Sequence, residues 1–241
     1  MTGFVDLHCH WIAGIDDGAR DVAEGIEMLE ALARIGFTRV IATPHMRPGM
    51  FDNDKPSLVS AYERMLPHLR EVPGLPSVDL ASEHYFDDVV YQRLLDGEGL
   101  PYPGQRAVLL EFYEVAFPTS LDRSLFQLRS RGLLPVIAHP ERYRAIWRSP
   151  ETLERLVEGG AAALLDVAAL AGKYGKQPQR SAEELLEAGL YHAACSDAHR
   201  PGDADAVQAG IRCVERGYGD EEVDFLFREG PLALLEGRLP D

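Results

Sequence analysis

The sequence predicts an α/β fold, a distorted barrel of seven parallel strands with outer helices. Two observations support this prediction. Short apolar or β-branched runs alternate with longer amphipathic segments, and potential metal ligands follow almost every run. An open doubly wound sheet is the alternative, but it typically has a glycine-rich phosphate loop after the first strand, where this chain has His8-Cys9-His10. A TIM-like (β/α)7 barrel, related to the (β/α)8 type, therefore describes the pattern best.

Apolar spacing defines each predicted strand and helix. The first helix, for example, has Val22, Ile26 and Leu29 on one face and is expected to end at Gly36. The predicted strands are residues 5–8, 39–43, 78–81, 107–111, 134–138, 162–166 and 192–195. The predicted helices are residues 21–35, 56–71, 87–95, 119–132, 151–158, 182–188, 204–216 and 221–235.

The composition is typical of a globular domain that avoids polyanions. Hydrophobic residues make up 46% of the 241 residues and no linker-like stretch divides them, so we expect a single domain over residues 1–241. Lysine and arginine total 24 against 39 acidic residues, which gives a formal net charge of −15. Such a surface repels nucleic acid and anionic membrane, so neither is an expected partner. A monomer is the default expectation.

The sequence favours a cytoplasmic location without membrane insertion. The N-terminus lacks the basic start and apolar run of a signal peptide. The longest apolar stretch, residues 161–171, is broken by Asp166 and is too short to cross a bilayer. Cys9, Cys195 and Cys213 form no CxxC pair, which argues against a disulfide framework and against a thiolate zinc site.

Metal-ligand residue types stand where the predicted strands end. His8 and His10 leave the first strand as an i, i+2 pair, which directs both imidazoles to the same side of an extended chain. Glu111 follows three apolar residues, where an unpaired carboxylate is costly to bury and a cation is the natural partner. Because parallel strands end together at one end of a barrel, the set predicts a multinuclear metal site. The predicted ligands are His8, His10, Asp17, His45, Glu83, Glu111, His139, Asp197 and His199.

The types of ligand indicate which ions and substrates fit. Imidazole and carboxylate without thiolate favour Mn²⁺, Fe²⁺ or Zn²⁺ over Ca²⁺ and Mg²⁺. Five histidines and four carboxylates suit about three divalent ions, since each ion takes about four to six ligands including water. The roughly six positive charges of these ions exceed the four carboxylates, so the site is expected to select a dianion such as a phosphate monoester.

Longer segments around these residues have a distinctive sequence. They are Asp6-Leu7-His8-Cys9-His10, Asp16-Asp17-Gly18, Ala42-Thr43-Pro44-His45, Arg47-Pro48-Gly49-Met50-Phe51, Ile137-Ala138-His139-Pro140-Glu141-Arg142-Tyr143 and Ala194-Cys195-Ser196-Asp197-Ala198-His199. Together they resemble the PHP superfamily (polymerase and histidinol phosphatase), and most closely its bacterial protein-tyrosine phosphatases of the CpsB/CapC type. The resemblance spans about residues 3–200. It implies the PHP fold, manganese-stimulated phosphatase activity, a role in capsule or exopolysaccharide synthesis, and an autophosphorylated tyrosine kinase as substrate.

By that resemblance, the nine ligands divide among three ions. One ion receives His8, His10, Glu111 and Asp197, a second receives Glu111 and His139, and the third receives Asp17, His45, Glu83 and His199. Glu111 is therefore the expected bridge. The resemblance also favours Asp17 over Asp16 as the ligand after the first strand, and leaves Asp16 and Asp6 to support neighbouring ligands.

The resemblance further implies hydrolysis by a metal-bridged hydroxide that attacks phosphorus in line, without a covalent enzyme intermediate. Arg142 matches the family's basic residue beside the fifth-strand histidine and is expected to bind phosphate, with Arg47 and Arg200 as further candidates. His199 is a candidate for protonating the leaving phenolate, but a ligand imidazole is a poor acid and a metal-bound water is an equal candidate. Arg200-Pro201 stands where the family usually carries asparagine, so the pocket there is expected to differ.

Other functions stay open at this point. A histidinol-phosphate or other small-molecule phosphatase can use the same ligands, and a TatD-like nuclease or a non-catalytic metal-binding module are further alternatives. A thiol-based tyrosine phosphatase is excluded, because Ile15, Pro201 and Gly219 stand six residues after the cysteines, where that class needs arginine. A binuclear amidohydrolase is disfavoured, because Glu111 stands where that class commonly has its bridging lysine.

Overall fold

The computed structural model describes residues 3–240, and its strands pair in parallel throughout. The strands are β1 (Phe4–Cys9), β2 (Phe37–Ala42), β3 (His45–Met46), β4 (Ser77–Leu80), β5 (Glu83–Tyr85), β6 (Ala107–Glu111), β7 (Leu134–Ala138), β8 (Ala162–Asp166) and β9 (Ala193–Cys195). They form a three-stranded sheet, ordered β1-β2-β4, and a six-stranded sheet, ordered β3-β5-β6-β7-β8-β9. The predicted α/β class and parallel pairing are confirmed.

Two of the seven predicted strands, residues 39–43 and 78–81, are each followed after an interruption by a further short strand, which accounts for the larger number of strands. Residues 43–44 separate β2 from β3, and residues 81–82 separate β4 from β5. Pro44 has no N–H to donate to a sheet ladder, so the ladder breaks there. The Ser82 hydroxyl donates to the Pro44 carbonyl at 2.8 Å and connects the two interruptions. After each interruption the chain passes from the three-stranded sheet to the six-stranded sheet. β3 and β5 both begin on a predicted ligand.

The two sheets also meet just beyond β9. The Asp197 N–H donates to the His8 carbonyl, and the His10 N–H donates to the Ala198 carbonyl, both at 2.9 Å. Cys9 and Ala198 form a parallel bridge at the same place. The loop after the last strand is therefore held against the first strand, although its residues are nearly 190 positions away in sequence.

Alternate residues of the strands face two different cores, as the period of two requires. Leu7, Ile41, Leu109, Val136 and Leu164 come from both sheets and are buried together in one interior cluster. Their neighbours along the strands join a larger cluster with the apolar faces of the helices. The sheets thus share an apolar interior with helices outside, which is the arrangement that a barrel requires.

Side-chain caps fix the starts of three helices. Asp21, Asp54 and Asp87 each accept a backbone N–H three residues further on. The helices are α1 (Val22–Arg34), α2 (Lys55–Leu69), α3 (Asp88–Leu95), α4 (Leu121–Ser130), α5 (Arg144–Arg148), α6 (Glu151–Glu158), α7 (Lys176–Glu187), α8 (Asp203–Tyr218), α9 (Asp220–Asp224) and α10 (Gly230–Leu235), with 3₁₀ turns at Pro140–Arg142 and Val167–Ala169 and a π-helical turn at Phe225–Glu229. Within residues 3–240, no helix has the length and apolar character needed to cross a membrane.

Two helices differ from the prediction. α7 begins at Lys176 rather than at residue 182, because Gly175, with φ of +92°, turns the chain and Pro178 is tolerated in the first turn. Its polar first turn has no apolar periodicity from which it could be predicted. α5 has only five residues, which is too short for a periodic pattern. The predicted helix over residues 221–235 is present as α9, the π-helical turn and α10, and the other predicted helices are present with small shifts at their ends.

Candidate metal centre

All nine predicted ligands lie together where the strands end. Their donor atoms form four groups, within each of which all donors are less than 4.8 Å apart. The groups are His10, Asp17, His45 and His199; His8, His10 and Asp197; His8, Glu83 and His139; and His45, Glu83 and Glu111. Because the groups share members, they form one continuous cluster.

His8 and His10 direct their imidazoles to the same place, as their spacing predicted. Their Nε2 atoms are 3.1 Å apart, and Asp197 Oδ1 lies 3.2 Å from the first and 3.5 Å from the second. All three side chains are buried. Two ligands of one ion, each about 2.1 Å from it, stand roughly 3.0–3.4 Å apart. These three atoms therefore have the separation expected for a shared ion.

Glu83 lies at the centre of the cluster. Its Oε2 is 3.0 Å from His45 Nδ1 and 3.3 Å from His8 Nε2, and its Oε1 is 3.0 Å from His139 Nε2. Burial alone raises the pKa of Glu83, but the imidazoles of His8 and His45 hold it well below its ordinary value. Glu83, rather than Glu111, thus lies where one carboxylate approaches several imidazoles.

The pairing of β5 with β6 explains why Glu111 is not central. Glu83 lies opposite Leu109, and Tyr85 lies opposite Glu111, so Glu111 stands two residues nearer the open end of the strands. Its side chain is 12% exposed against 1% for Glu83, and its Oε2 is 3.7 Å from His45 Nδ1. Burial and the nearby charge of Glu83 raise the pKa of Glu111 to about 7. Glu111 therefore belongs to the outer part of the cluster.

Asp17, His45 and His199 form the open edge of the cluster. Asp17 Oδ1 is 3.4 Å from the Nε2 atoms of both histidines. The His199 Nδ1 lies 3.0 Å from the Asp197 carbonyl, which can only accept, so we assign the proton of a neutral His199 to Nδ1. The Nε2 of His199 then has a lone pair directed at the cluster, as a metal ligand requires.

Several buried atoms of the cluster have close polar neighbours but make no hydrogen bond of acceptable geometry within the described residues. They include Asp197 Oδ1, Glu111 Oε2 and His45 Nδ1. An unpaired buried acceptor is costly, and carboxylates and lone pairs a few ångströms apart repel one another. Divalent cations remove both costs, so the donor set, its spacing and its unpartnered atoms fit metal ions.

Asp16 and Asp17 have different environments. Asp16 Oδ2 accepts from His10 Nδ1 at 2.8 Å and from the His45 backbone N–H at 3.0 Å. This contact places the proton of His10 on Nδ1 and leaves its Nε2 free for the cluster. Asp17 instead directs Oδ1 into the cluster. Asp17 therefore lies as expected for a ligand, and Asp16 supports the predicted ligands His10 and His45.

Asp6 connects the first strand to the loop after the last strand. Its Oδ1 accepts the backbone N–H groups of His8 at 3.2 Å and of Ser196 at 3.0 Å, and its Oδ2 accepts the Ser196 hydroxyl. Burial raises the pKa of Asp6 to about 6, although these hydrogen bonds oppose the shift. Asp6 thus fixes the relative position of the two segments that provide His8, His10 and Asp197.

Two cluster residues adopt a left-handed backbone without being glycine. His139 has φ of +33°, and Asp197 has φ of +43°. Such a conformation costs about 1 kcal/mol or more per residue for an L-amino acid. Both residues turn the chain sharply at a strand end, which directs their side chains into the cluster.

Arg142 lies beside the cluster between two carboxylates. Its Nη1 donates to Asp197 Oδ2 at 2.7 Å and lies 4.0 Å from Asp166 Oδ2, and its guanidinium is 4.7 Å from the centre of the Tyr174 ring. Although burial opposes its charge, these two carboxylates raise the pKa of Arg142. Burial and the charge of Asp197 raise the pKa of Asp166 to about 7. The contacts of Asp166 and Tyr174 were not predicted from the sequence, although Asp166 ends β8 as Glu111 ends β6.

A cleft of about 190 Å³ opens onto the cluster. Arg47 enters it from the turn after β3, with its guanidinium 4.0 Å from the centre of the Tyr85 ring and its Nη1 3.9 Å from Glu111 Oε2. The residues that line the cleft are Asp17, His45, Arg47, Met50, Phe51, Glu83, Glu111, Glu114, His139, Arg142, Asp197 and His199. The cleft thus combines the ligand cluster with both arginines predicted to contact phosphate.

Comparison with known proteins identifies the family. A family model described as "Capsular polysaccharide synthesis, CpsB/CapC" matches residues 4–236. The chain belongs to the CpsB/CapC family. It is 33% identical to the tyrosine-protein phosphatase YwqE of Bacillus subtilis, over 97% of this chain and 92% of that protein. It is 23% identical to the tyrosine-protein phosphatase CpsB of Streptococcus pneumoniae, over 98% of this chain and 99% of that protein.

A solved structure of a CpsB/CapC protein has the same fold. It is described as YwqE from Bacillus subtilis and CpsB from Streptococcus pneumoniae, unique metal-dependent tyrosine phosphatases. It matches this chain with a TM-score of 0.90 and 32% identity, over 98% of this chain and 96% of the other. The resemblance stated from the sequence motifs is confirmed.

Arg200 has a structural contact that the CpsB/CapC motif did not predict. Its Nη1 donates towards the backbone carbonyls of Asp17, Gly18 and His199 at 2.5–2.8 Å. It is absent from the residues that line the cleft. Arg200 therefore joins the Asp17 turn to the His199 loop and is not placed to contact phosphate, unlike the two arginines in the cleft.

Proposed function

We propose that this chain is a metal-dependent phosphomonoester hydrolase that removes phosphate from phosphotyrosine in proteins. The observation that supports this most is the cleft, in which nine imidazole and carboxylate side chains converge beside two arginines. Family membership and the names of the relatives support the same activity. Hydrolysis of a phosphate monoester needs a positively charged site that binds the dianion, and this donor set can form such a site when metal ions are bound.

The nine ligands hold about three divalent ions in this proposal, which are Mn²⁺, with Fe²⁺ or Zn²⁺ as alternatives. When bound, such ions neutralise phosphoryl oxygens and lower the pKa of water, which supplies a nucleophile near neutral pH. Glu83 lies 3.0–3.6 Å from imidazole nitrogens of His8, His10, His45 and His139, and each of the four donor groups contains at least one of these histidines. We assign Glu83 as the residue that bridges ions.

The two arginines in the cleft have different assigned roles. Arg142, held at the buried wall, binds phosphoryl oxygens and keeps the group next to the cluster. Arg47 lies nearer the entrance and contacts either the phosphoryl group or the neighbouring peptide. We assign His199 to metal binding rather than to protonation of the leaving phenolate, because its Nδ1 proton is held by a backbone carbonyl.

The mouth of the cleft supports an aromatic phosphate in a protein chain. Phe51 and Met50 line it, and Met50 is 60% exposed, so a phenyl ring can pack against them. The relatives named tyrosine-protein phosphatases include CapC of Staphylococcus aureus, and the family description refers to capsular polysaccharide synthesis. We therefore propose an autophosphorylated tyrosine kinase of exopolysaccharide synthesis as substrate. Autophosphorylation of such a kinase takes phosphate from ATP, which is available in the cytoplasm. We therefore place the reaction in the cytoplasm.

One assay tests this proposal against its alternatives. A phosphotyrosine peptide, histidinol phosphate and a short DNA strand are incubated side by side with the same preparation, whose metal content is measured. We expect Mn²⁺-stimulated release of phosphate from the peptide, loss of activity on exhaustive chelation and recovery on adding Mn²⁺. Preferential hydrolysis of histidinol phosphate or of DNA, or full activity without metal, contradicts the proposal.

A further inference from the structure

Asp166 is a buried carboxylate at the end of β8 for which the metal cluster gives no role. Its Oδ1 accepts the Ala168 N–H at 3.0 Å and so begins the 3₁₀ turn at Val167–Ala169. Its Oδ2 has no hydrogen-bond partner within the described residues and lies 4.0 Å from Arg142 Nη1. The capping contact accounts for one oxygen of Asp166. It does not account for the second oxygen, which faces the guanidinium.

Asp197 alone is not sufficient to hold Arg142 in place. Its Oδ2 accepts from Arg142, but its Oδ1 lies between His8 and His10 and belongs to the donor cluster. A metal ion on Oδ1 withdraws negative charge from Asp197 and weakens its attraction for Arg142. Asp166 faces no imidazole of the cluster, so its carboxylate, when ionised, acts on the guanidinium and not on a predicted metal ligand.

The ring of Tyr174 completes the environment of this arginine. The guanidinium of Arg142 lies over the Tyr174 ring, 4.7 Å from its centre, and this contact restrains the arginine side chain. The Arg142 side chain is 23% exposed, whereas Asp166 is fully buried. Arg142 can therefore present donors to the cleft while its other donors are held from behind.

We propose that Asp166 is a positioning residue that, with Tyr174, holds Arg142 in the orientation that binds phosphoryl oxygens. This inference rests on the proposed phosphatase function and extends it. Asp166 does not touch the substrate, and it acts only through Arg142. A buried carboxylate and guanidinium that face each other stabilise each other's charge, and removing one of them leaves the other without its restraint.

Asp166→Asn tests the proposal with little change in shape. Asparagine keeps an oxygen that can cap the 3₁₀ turn, but it loses the charge that faces Arg142. In the Mn²⁺-loaded protein, we expect the KM for an aryl phosphate and the Kd for inorganic phosphate to rise about tenfold, with kcat reduced less than about threefold and metal content unchanged. If Asp166→Asn only removed a negative charge that repels phosphate, phosphate would bind more tightly to the variant. An unchanged or lower phosphate Kd therefore overturns the proposal.

Two further measurements separate positioning from general damage. In a double-mutant cycle, Asp166→Asn should not weaken phosphate binding when Arg142 is already alanine; equal weakening in both backgrounds contradicts action through Arg142. Glu141→Gln is the matched control, because Glu141 is equally buried but bonds to the Asp166 N–H and to the Tyr191 hydroxyl instead. It should lower thermal stability and leave the phosphate Kd unchanged.

If Asp166→Asn does not fold, Tyr174→Leu replaces it. Removal of the ring should raise the KM and the phosphate Kd in the same direction, and no change in either contradicts the proposal. Failure of the proposed function has a different signature, since the wild-type protein itself then neither hydrolyses the aryl phosphate nor binds phosphate. A wild-type protein that does both, beside a variant that binds phosphate equally well, refutes only the positioning role.

Discussion

On the β7–β9 side of the cleft, Arg142 is held by two carboxylates, whereas on the β3–β6 side Arg47 lies over an aromatic ring. The carboxylates that face Arg142 are at most 2% exposed, and one of them is a predicted metal ligand. Arg47 has the Tyr85 ring at 4.0 Å and a single carboxylate, with its nearest oxygen at 3.9 Å, whereas Arg142 also donates a hydrogen bond of 2.7 Å to one of its two carboxylates. The first arrangement fixes a charge at one place. The second arrangement lets the guanidinium of Arg47 change position, which suits contact with substrates of varying shape.

Glu83→Gln removes the residue that both sides share and should have the largest effect. Loss of its charge leaves four imidazoles without their common carboxylate, so we expect metal content to fall and phosphatase activity to decrease by about a thousandfold or more. Metal analysis and steady-state kinetics on the same preparation check this. Glu158→Gln, at an exposed site at the end of α6, is the control. Full metal content in Glu83→Gln contradicts the bridging assignment.

Arg142→Ala breaks the fixed side alone. Because a charge-assisted contact to phosphate is lost, kcat/KM for an aryl phosphate should fall about a hundredfold while the bound metal stays constant. Arg148→Ala, at the exposed end of α5, should behave like the wild type. Unaltered kinetics in Arg142→Ala excludes its role in binding phosphate.

Arg47→Ala tests the adjustable side and should have a smaller effect. We expect kcat/KM to fall about fivefold to tenfold, mainly through KM, since the contact lies at the partly exposed entrance. Comparison of a small aryl phosphate with a phosphotyrosine peptide locates the contact. A larger loss for the peptide indicates contact with the chain around the phosphotyrosine, and an equal loss indicates contact with the phosphoryl group. A loss as large as that of Arg142→Ala contradicts the difference between the two sides.

His192 lies away from both sides of the cleft, and its substitution should have the smallest effect. Burial lowers its pKa, and its Nδ1 accepts the Ala163 N–H at 3.2 Å. The unfolded chain therefore binds this proton at a higher pH than the folded chain, and the folded protein loses stability as pH falls below about 6.5. The slope is less than about 1.4 kcal/mol per pH unit. His192→Gln should show a shallower loss between pH 7.5 and 5 in urea unfolding; identical slopes contradict this origin.

The sequence was sufficient to predict which residues meet at the site, but not their order within it. Strand-end positions are visible in the apolar pattern, and parallel strands bring such positions together, so the cluster of nine followed. Glu83 and Glu111 both follow apolar runs and cannot be distinguished by pattern. Their difference comes from the two-residue offset between β5 and β6, which depends on how the strands pair.

Contacts between distant segments were also beyond the sequence pattern. The Asp166 carboxylate was visible only as a charge in an apolar run, because its distance to Arg142 depends on how β8 and the turn after β7 pack. Arg200 was a candidate for phosphate binding because it follows a ligand motif directly. From sequence, such an arginine is more readily expected to bind phosphate than to donate to backbone carbonyls. Its direction towards the Asp17 turn is set by the fold of two loops far apart in sequence.

The left-handed backbone of His139 and Asp197 has a consequence for how this protein tolerates mutation. Glycine adopts that conformation with little strain, so His139→Gly would relax the backbone there while removing a ligand. A selection for heat resistance alone would thus favour changes that erase the site, whereas a selection for activity would retain the strain. Comparing the survivors of the two selections at these two positions would show how much folding stability the active site costs.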